Sequence, residues 1–104
     1  MLELGQSYTE VFSLSQNYPN PFNPSTTIAY EVPASSRVTL SVYDVLGRLV
    51  TTLVDKVQDA GRYTIAFDAT HLASGIYFYR FEAVEVRGVS PNRFTEVKKL
   101  ILLR

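Results

Sequence analysis

From Thr26 onward the chain alternates apolar and polar residues with a period of two. Ile28, Tyr30 and Val32 share one face, with Thr27, Ala29 and Glu31 opposite, and Pro33 ends the run. Val38, Leu40 and Val42 alternate with Thr39, Ser41 and Tyr43. Successive side chains of a strand point to opposite faces, so this pattern predicts strands with one face buried. Asp44 to Gly47 reads as a turn, because Asp bonds its own backbone and Gly accepts a positive φ. The run Arg48 to Val54 returns directly, predicting a hairpin of Arg37–Asp44 with Arg48–Val54.

The pattern repeats towards the C-terminus. Asp59-Ala60-Gly61 is a second turn signal, followed by Tyr63, Ile65 and Phe67 alternating with Arg62, Thr64 and Ala66. Asp68 to Ser74 lacks alternation. Asp68 suits an N-cap, Gly75 suits the residue closing a short helical turn, and Leu72 is expected to plug that turn into the core. Ile76 to Val86 carries Tyr77, Tyr79 and Phe81 on one side; Gly88 to Asn92 is a loop; Phe94 to Leu103 is the last strand. Turn signals every 8–12 residues and no long amphipathic helix predict an all-β antiparallel sandwich of about seven strands.

Upstream the pattern changes. Thr9 to Leu14 reads as a short strand, since Val11 and Phe12 favour extended backbone. Asn17-Tyr18-Pro19-Asn20-Pro21-Phe22-Asn23-Pro24-Ser25 holds three prolines in six residues, which excludes a helix or central strand. Each residue before a proline is pushed towards extended backbone, so an extended strap with turns at the Asn-Pro steps is expected. Tyr18 and Phe22 are expected either to pin this strap to the sandwich or to meet a partner. Met1 to Glu10 has two acids and no basic start, unlike a secretory signal peptide.

A chain of 104 residues has room for one domain, and a hydrophobic share of 46% supplies a core. The ten Lys and Arg balance ten Asp and Glu, which argues against a phosphate-binding stripe or a charge-held membrane contact. No apolar run reaches the roughly 20 residues of a membrane-spanning helix, so direct membrane insertion is not expected. The absence of cysteine removes disulfides and thiolate chemistry.

Candidate chemistry is sparse. His71 is the only histidine and has only Asp68 beside it, so it reads as a solvated turn residue rather than a metal ligand. Asp44, Asp55, Asp59 and Asp68 fall at turns, where bonding to the local backbone accounts for them. The chain contains neither a nucleophile elbow nor a phosphate-binding glycine loop. No enzyme, metal or cofactor is expected. Two places remain unexplained by packing: the strap, and the closing Lys98, Lys99, Leu100, Ile101, Leu102, Leu103 and Arg104, whose apolar run is suited to pairing with another chain.

The chain from about Ser13 to Arg104 resembles the type A C-terminal sorting domain of the type IX secretion system. The resemblance rests first on Leu14 to Ile28, which contains the whole strap. It rests also on three later motifs in order: Val42-Tyr43-Asp44-Val45-Leu46-Gly47-Arg48, Leu72-Ala73-Ser74-Gly75-Ile76-Tyr77, and Lys98-Lys99-Leu100-Ile101-Leu102. It implies an immunoglobulin-like sandwich fused to an upstream cargo domain and exported through the periplasm to the cell surface or medium. The implied partners are the outer-membrane translocon, its shuttle proteins and a sortase-like peptidase. The strap and the closing strand are the expected recognition residues; Tyr43, Asp44, Gly47, Asp68, Leu72, Gly75 and Tyr77 are motif residues of the fold. Residues 1–12 are read as linker and 13–104 as the domain.

Two departures stand out: Phe67-Asp68 replaces a common Trp-Asp, and Glu82 to Phe94 lengthens the last hairpin. The competing reading is a carbohydrate-binding or cell-attachment module of a secreted hydrolase, with Tyr18, Phe22 and Phe78 as an exposed aromatic platform. The sorting reading predicts that truncating the tail stops export without unfolding the sandwich.

Overall fold

The computed structural model describes residues 11–104. Seven strands run in chain order: β1 (Ser13–Leu14), β2 (Ser25–Val32), β3 (Ser36–Tyr43), β4 (Leu49–Gln58), β5 (Gly61–Asp68), β6 (Gly75–Glu85) and β7 (Arg93–Leu102). They form a three-stranded sheet ordered β1-β2-β5 and a four-stranded sheet ordered β4-β3-β6-β7, with every pair antiparallel. The crossing connections between the sheets are the Greek-key wiring of an immunoglobulin-like sandwich.

The period-two faces are those read from the sequence. Ile28, Tyr30 and Val32 of β2 are buried, as are Val38, Leu40 and Val42 of β3 and Tyr77, Tyr79 and Phe81 of β6. Aromatic rings join the two sheets: Tyr30 stacks on Tyr63 within its own sheet and packs at 5.0 Å against Phe81 of the other. Phe81 meets Phe94, and Phe94 stacks on Phe12 at 5.6 Å. Such contacts add to area burial because ring edges and faces carry opposite partial charge.

The hairpin expected at Asp44 is present. Its carboxylate accepts the amides of Leu46 and Arg48 and the Arg48 Nε, and Gly47 turns the chain at φ +82°. β4 runs four residues further than expected, to Gln58, and is irregular: its register against β3 shifts between Leu40 and Ser41 and again between Val42 and Tyr43. Each shift inserts an extra residue, Leu53 and then Val50, and both pack against the core. Bulges of this kind break strict alternation, which hid the strand's full length.

The segment after β5 departs from expectation. Residues 69–74 form one hydrogen-bonded turn, with the Leu72 amide donating to Ala69, rather than a capped helical turn. Asp68 accepts the amide and hydroxyl of Thr70, two residues on, as a turn residue does. Gly75 opens β6 opposite Leu102 at φ +151°, instead of closing a helix. Leu72 is half-buried against the core, as expected.

Candidate functional site

The strap and the closing strand, distant in sequence, lie side by side. β7 is an edge strand of the four-stranded sheet, and the strap runs along its outer edge. The Phe22 amide donates to the Ile101 carbonyl at 2.9 Å, and the Leu103 amide donates to the Phe22 carbonyl at 3.0 Å. The Ile101 amide donates to Asn20 Oδ1 at 2.9 Å, so a side chain stands where a partner strand's carbonyl would lie. Gln16 Nε2 donates to the Lys99 carbonyl at 2.7 Å. An uncovered edge offers unpaired amides and carbonyls to any passing strand, and here they are occupied from Lys99 to Leu103. Further along β7, Arg93–Lys98 has no strand on its outer side among the described residues.

Two anchors hold the strap. Phe22 is 2% exposed and packs at 6.1 Å against Phe67. Asn17 is equally buried and fully bonded: Nδ2 donates to the Pro19 carbonyl and Thr26 Oγ1, and Oδ1 accepts from Gln16. Its backbone amide donates to the Tyr79 hydroxyl at 2.8 Å, and that hydroxyl donates to the Ser15 carbonyl at 2.7 Å. Burial pushes the Tyr79 hydroxyl up to about 12 against a usual 10.0, with the Asn17 amide opposing the shift. All three X-Pro bonds of the strap are cis.

The closing residues divide by direction. Leu100 and Leu102 are wholly buried. Lys99 and Leu103 are exposed and Ile101 is half-exposed. Lys98 is partly covered and pairs with Glu96 at 3.1 Å. Arg104 returns to the sandwich: its guanidinium donates to the Ala69 and Thr70 carbonyls at 3.0 and 2.6 Å, and its amide to Ser74 Oγ. Of the three aromatics proposed as a glycan platform, Phe22 is inside the core, while Tyr18 is 81% exposed on the strap and Phe78 lies on the outer face of the four-stranded sheet. They do not form one surface.

The motif residues support these elements. Asp44 is held below the usual carboxylate range chiefly by the Arg48 amide, and Asp68 chiefly by the Thr70 hydroxyl. The Tyr77 hydroxyl donates to the Ala73 carbonyl at 2.8 Å, bracing the turn that Arg104 clasps. His71 is exposed. Among the described residues no group of three or more His, Cys, Asp or Glu is placed to hold a metal ion. Sequence reasoning missed Asn17, Gln16 and Tyr79 as latch residues. The signal was faint: only the unbroken alternation through Tyr79 marked its ring, and nothing marked its hydroxyl's partner.

A family model for the secretion system C-terminal sorting domain matches residues 16–102, from the latch glutamine to the last buried leucine. The chain belongs to that family. The family is that of the type IX secretion sorting signal, which implies export across the envelope towards the cell surface or medium. No curated protein and no solved structure matches the chain.

Proposed function

We propose that this domain is the non-catalytic address tag of a larger cargo protein, read by the type IX translocon and its shuttle proteins at the joint edge of strap and closing strand. The observation that carries this reading is the strap bonded to β7 from Lys99 to Leu103, which joins the opening motif and the closing strand in one surface. Buried Leu100 and Leu102 anchor the strand, while Lys99, Ile101 and Leu103 present their side chains outward for recognition. A sortase-like peptidase acting upstream of the domain at the surface fits the same role.

Truncating Lys98–Arg104 is a poor test, because it removes two fully buried leucines and the sandwich would lose core as well as signal. A better test places the domain behind a periplasmic signal peptide and a fluorescent passenger in a type IX host. Passenger should reach the surface or medium with the domain and stay periplasmic without it. Leu103→Asp, at an exposed site, should reduce export while leaving the melting temperature unchanged. Folded passenger retained in the periplasm despite an intact domain refutes the reading.

A further inference from the structure

The outer face of the four-stranded sheet is sharply divided. At one end its charges are paired: Arg37 meets Asp55 at 2.6 Å and Arg93 meets Glu82 at 3.2 Å. At the other end a single row in register runs Leu49, Tyr43, Phe78, Lys99 across all four strands. The next row places Arg80 between Ser41 and Val97, and Ile76 faces Ile101 on the far side. Leu49 and Val97 are 59% and 53% exposed. A shallow groove of about 290 Å³ lies among Tyr43, Asp44, Val45, Phe78, Arg80 and Val97.

The two cations in this apolar field have no carboxylate partner. Arg80 lies over the Tyr43 ring at 5.6 Å, which orients its guanidinium without neutralising it. The exposed Lys99 ammonium makes no ion pair among the described residues. The acids nearest along the chain are taken, Glu82 by Arg93 and Glu96 by Lys98, and Asp44, which lines the groove, is already bonded to Arg48. Aromatic and aliphatic side chains grouped with arginine are the composition of interface centres, and an exposed contiguous apolar patch marks an interaction site.

We propose that this end of the sheet is a docking face for an export-machinery protein that presents carboxylates around an apolar centre. The inference rests on the sorting reading and adds the face and the chemistry of the partner. Charge selects the occupant. A second copy docked face to face about a two-fold axis would set the patch that carries Arg80 and Lys99 against the same cationic patch, which is repulsive. A partner with carboxylates opposite them gains both attraction and steering.

The test uses the full chain fused to its passenger, with Arg80→Glu and Lys99→Glu together. Both positions are exposed, so the melting temperature should not move. The control is Lys56→Glu, an exposed charge reversal on β4. Binding is measured by biolayer interferometry to purified outer-membrane shuttle protein of the host, at two salt concentrations, beside the export assay. The wild type should bind with salt-sensitive affinity, the double reversal should weaken binding by roughly tenfold or more, and the control should stay near wild type. Normal binding and export by the double reversal overturns this proposal alone. A wild-type chain that neither binds nor exports overturns the sorting reading and this one with it. Retention on phosphatidylglycerol vesicles without shuttle binding, or a wild-type dimer that the double reversal abolishes, also overturns it by assigning the face to lipid or to a second copy.

Discussion

Replacing Tyr79 by Phe isolates the latch that holds the strap. The ring remains in the core, so no cavity forms; only the hydroxyl goes. That hydroxyl accepts the Asn17 amide and donates to the Ser15 carbonyl. Ser15 is exposed, so its carbonyl regains water and the loss there is about 1 kcal/mol. Asn17 is buried, so its amide is stranded, at a cost of about 1–3 kcal/mol. The sum is about 2–4 kcal/mol, which for a domain of this size lowers the melting temperature by on the order of 10 °C or more. Circular dichroism measures the melt, and hydrogen exchange at the Phe22 and Leu103 amides reads strap release directly. The variant also has an alkaline signature. The folded Tyr79 holds its proton to about pH 12 while the unfolded one releases it near 10.0, so above that the unfolded state binds fewer protons. The Tyr79 contribution is therefore full below pH 10 and is lost as pH rises towards 12, and Tyr79→Phe should flatten that fall. A melting temperature within about 2 °C of wild type, with unchanged exchange at both amides, would refute the latch.

Other outcomes follow from the same contacts. Leu100→Ala should destabilise by about 2–5 kcal/mol in denaturant titration, while Lys99→Ala, one residue away and exposed, should change stability by less than about 0.5 kcal/mol. Gly47→Ala has open space for its methyl group but must hold φ +82°, so chemical denaturation should reveal a loss of about 1 kcal/mol. Asp44 has a depressed folded pKa, so its contribution is present above the ordinary carboxylate value and is lost as pH falls through the folded one. NMR titration of its carboxyl carbon should find a midpoint below 3.8, and Arg48→Ala should raise it.

Much of the sandwich is legible in the amino-acid order because a pleated strand writes its buried face into every second residue. Ile28, Tyr30 and Val32, or Tyr77, Tyr79 and Phe81, declare their side without any partner being known. The turn at Asp44 and Gly47 is equally local: a short carboxylate bonding its own backbone and a residue tolerant of positive φ. The strap's prolines state what it is not, neither helix nor central strand, and its letters carry the family.

Where the strap goes is a different kind of information. Phe22 bonds β7 through its backbone amide and carbonyl, which every residue possesses, so the order of side chains encodes that pairing only in part. Asn20 reads as a turn former but acts as a strand's carbonyl, and Asn17 reads as surface but is buried, because both depend on groups some 60 to 80 residues away. Arg104 reads as part of the closing segment suited to a partner, and its guanidinium closes on the turn after β5. The outer-face row from Leu49 to Lys99 exists only once four strands are in register. Local alternation determined which faces are buried; long-range hydrogen bonding decided which edge is covered and which surface is left for a partner.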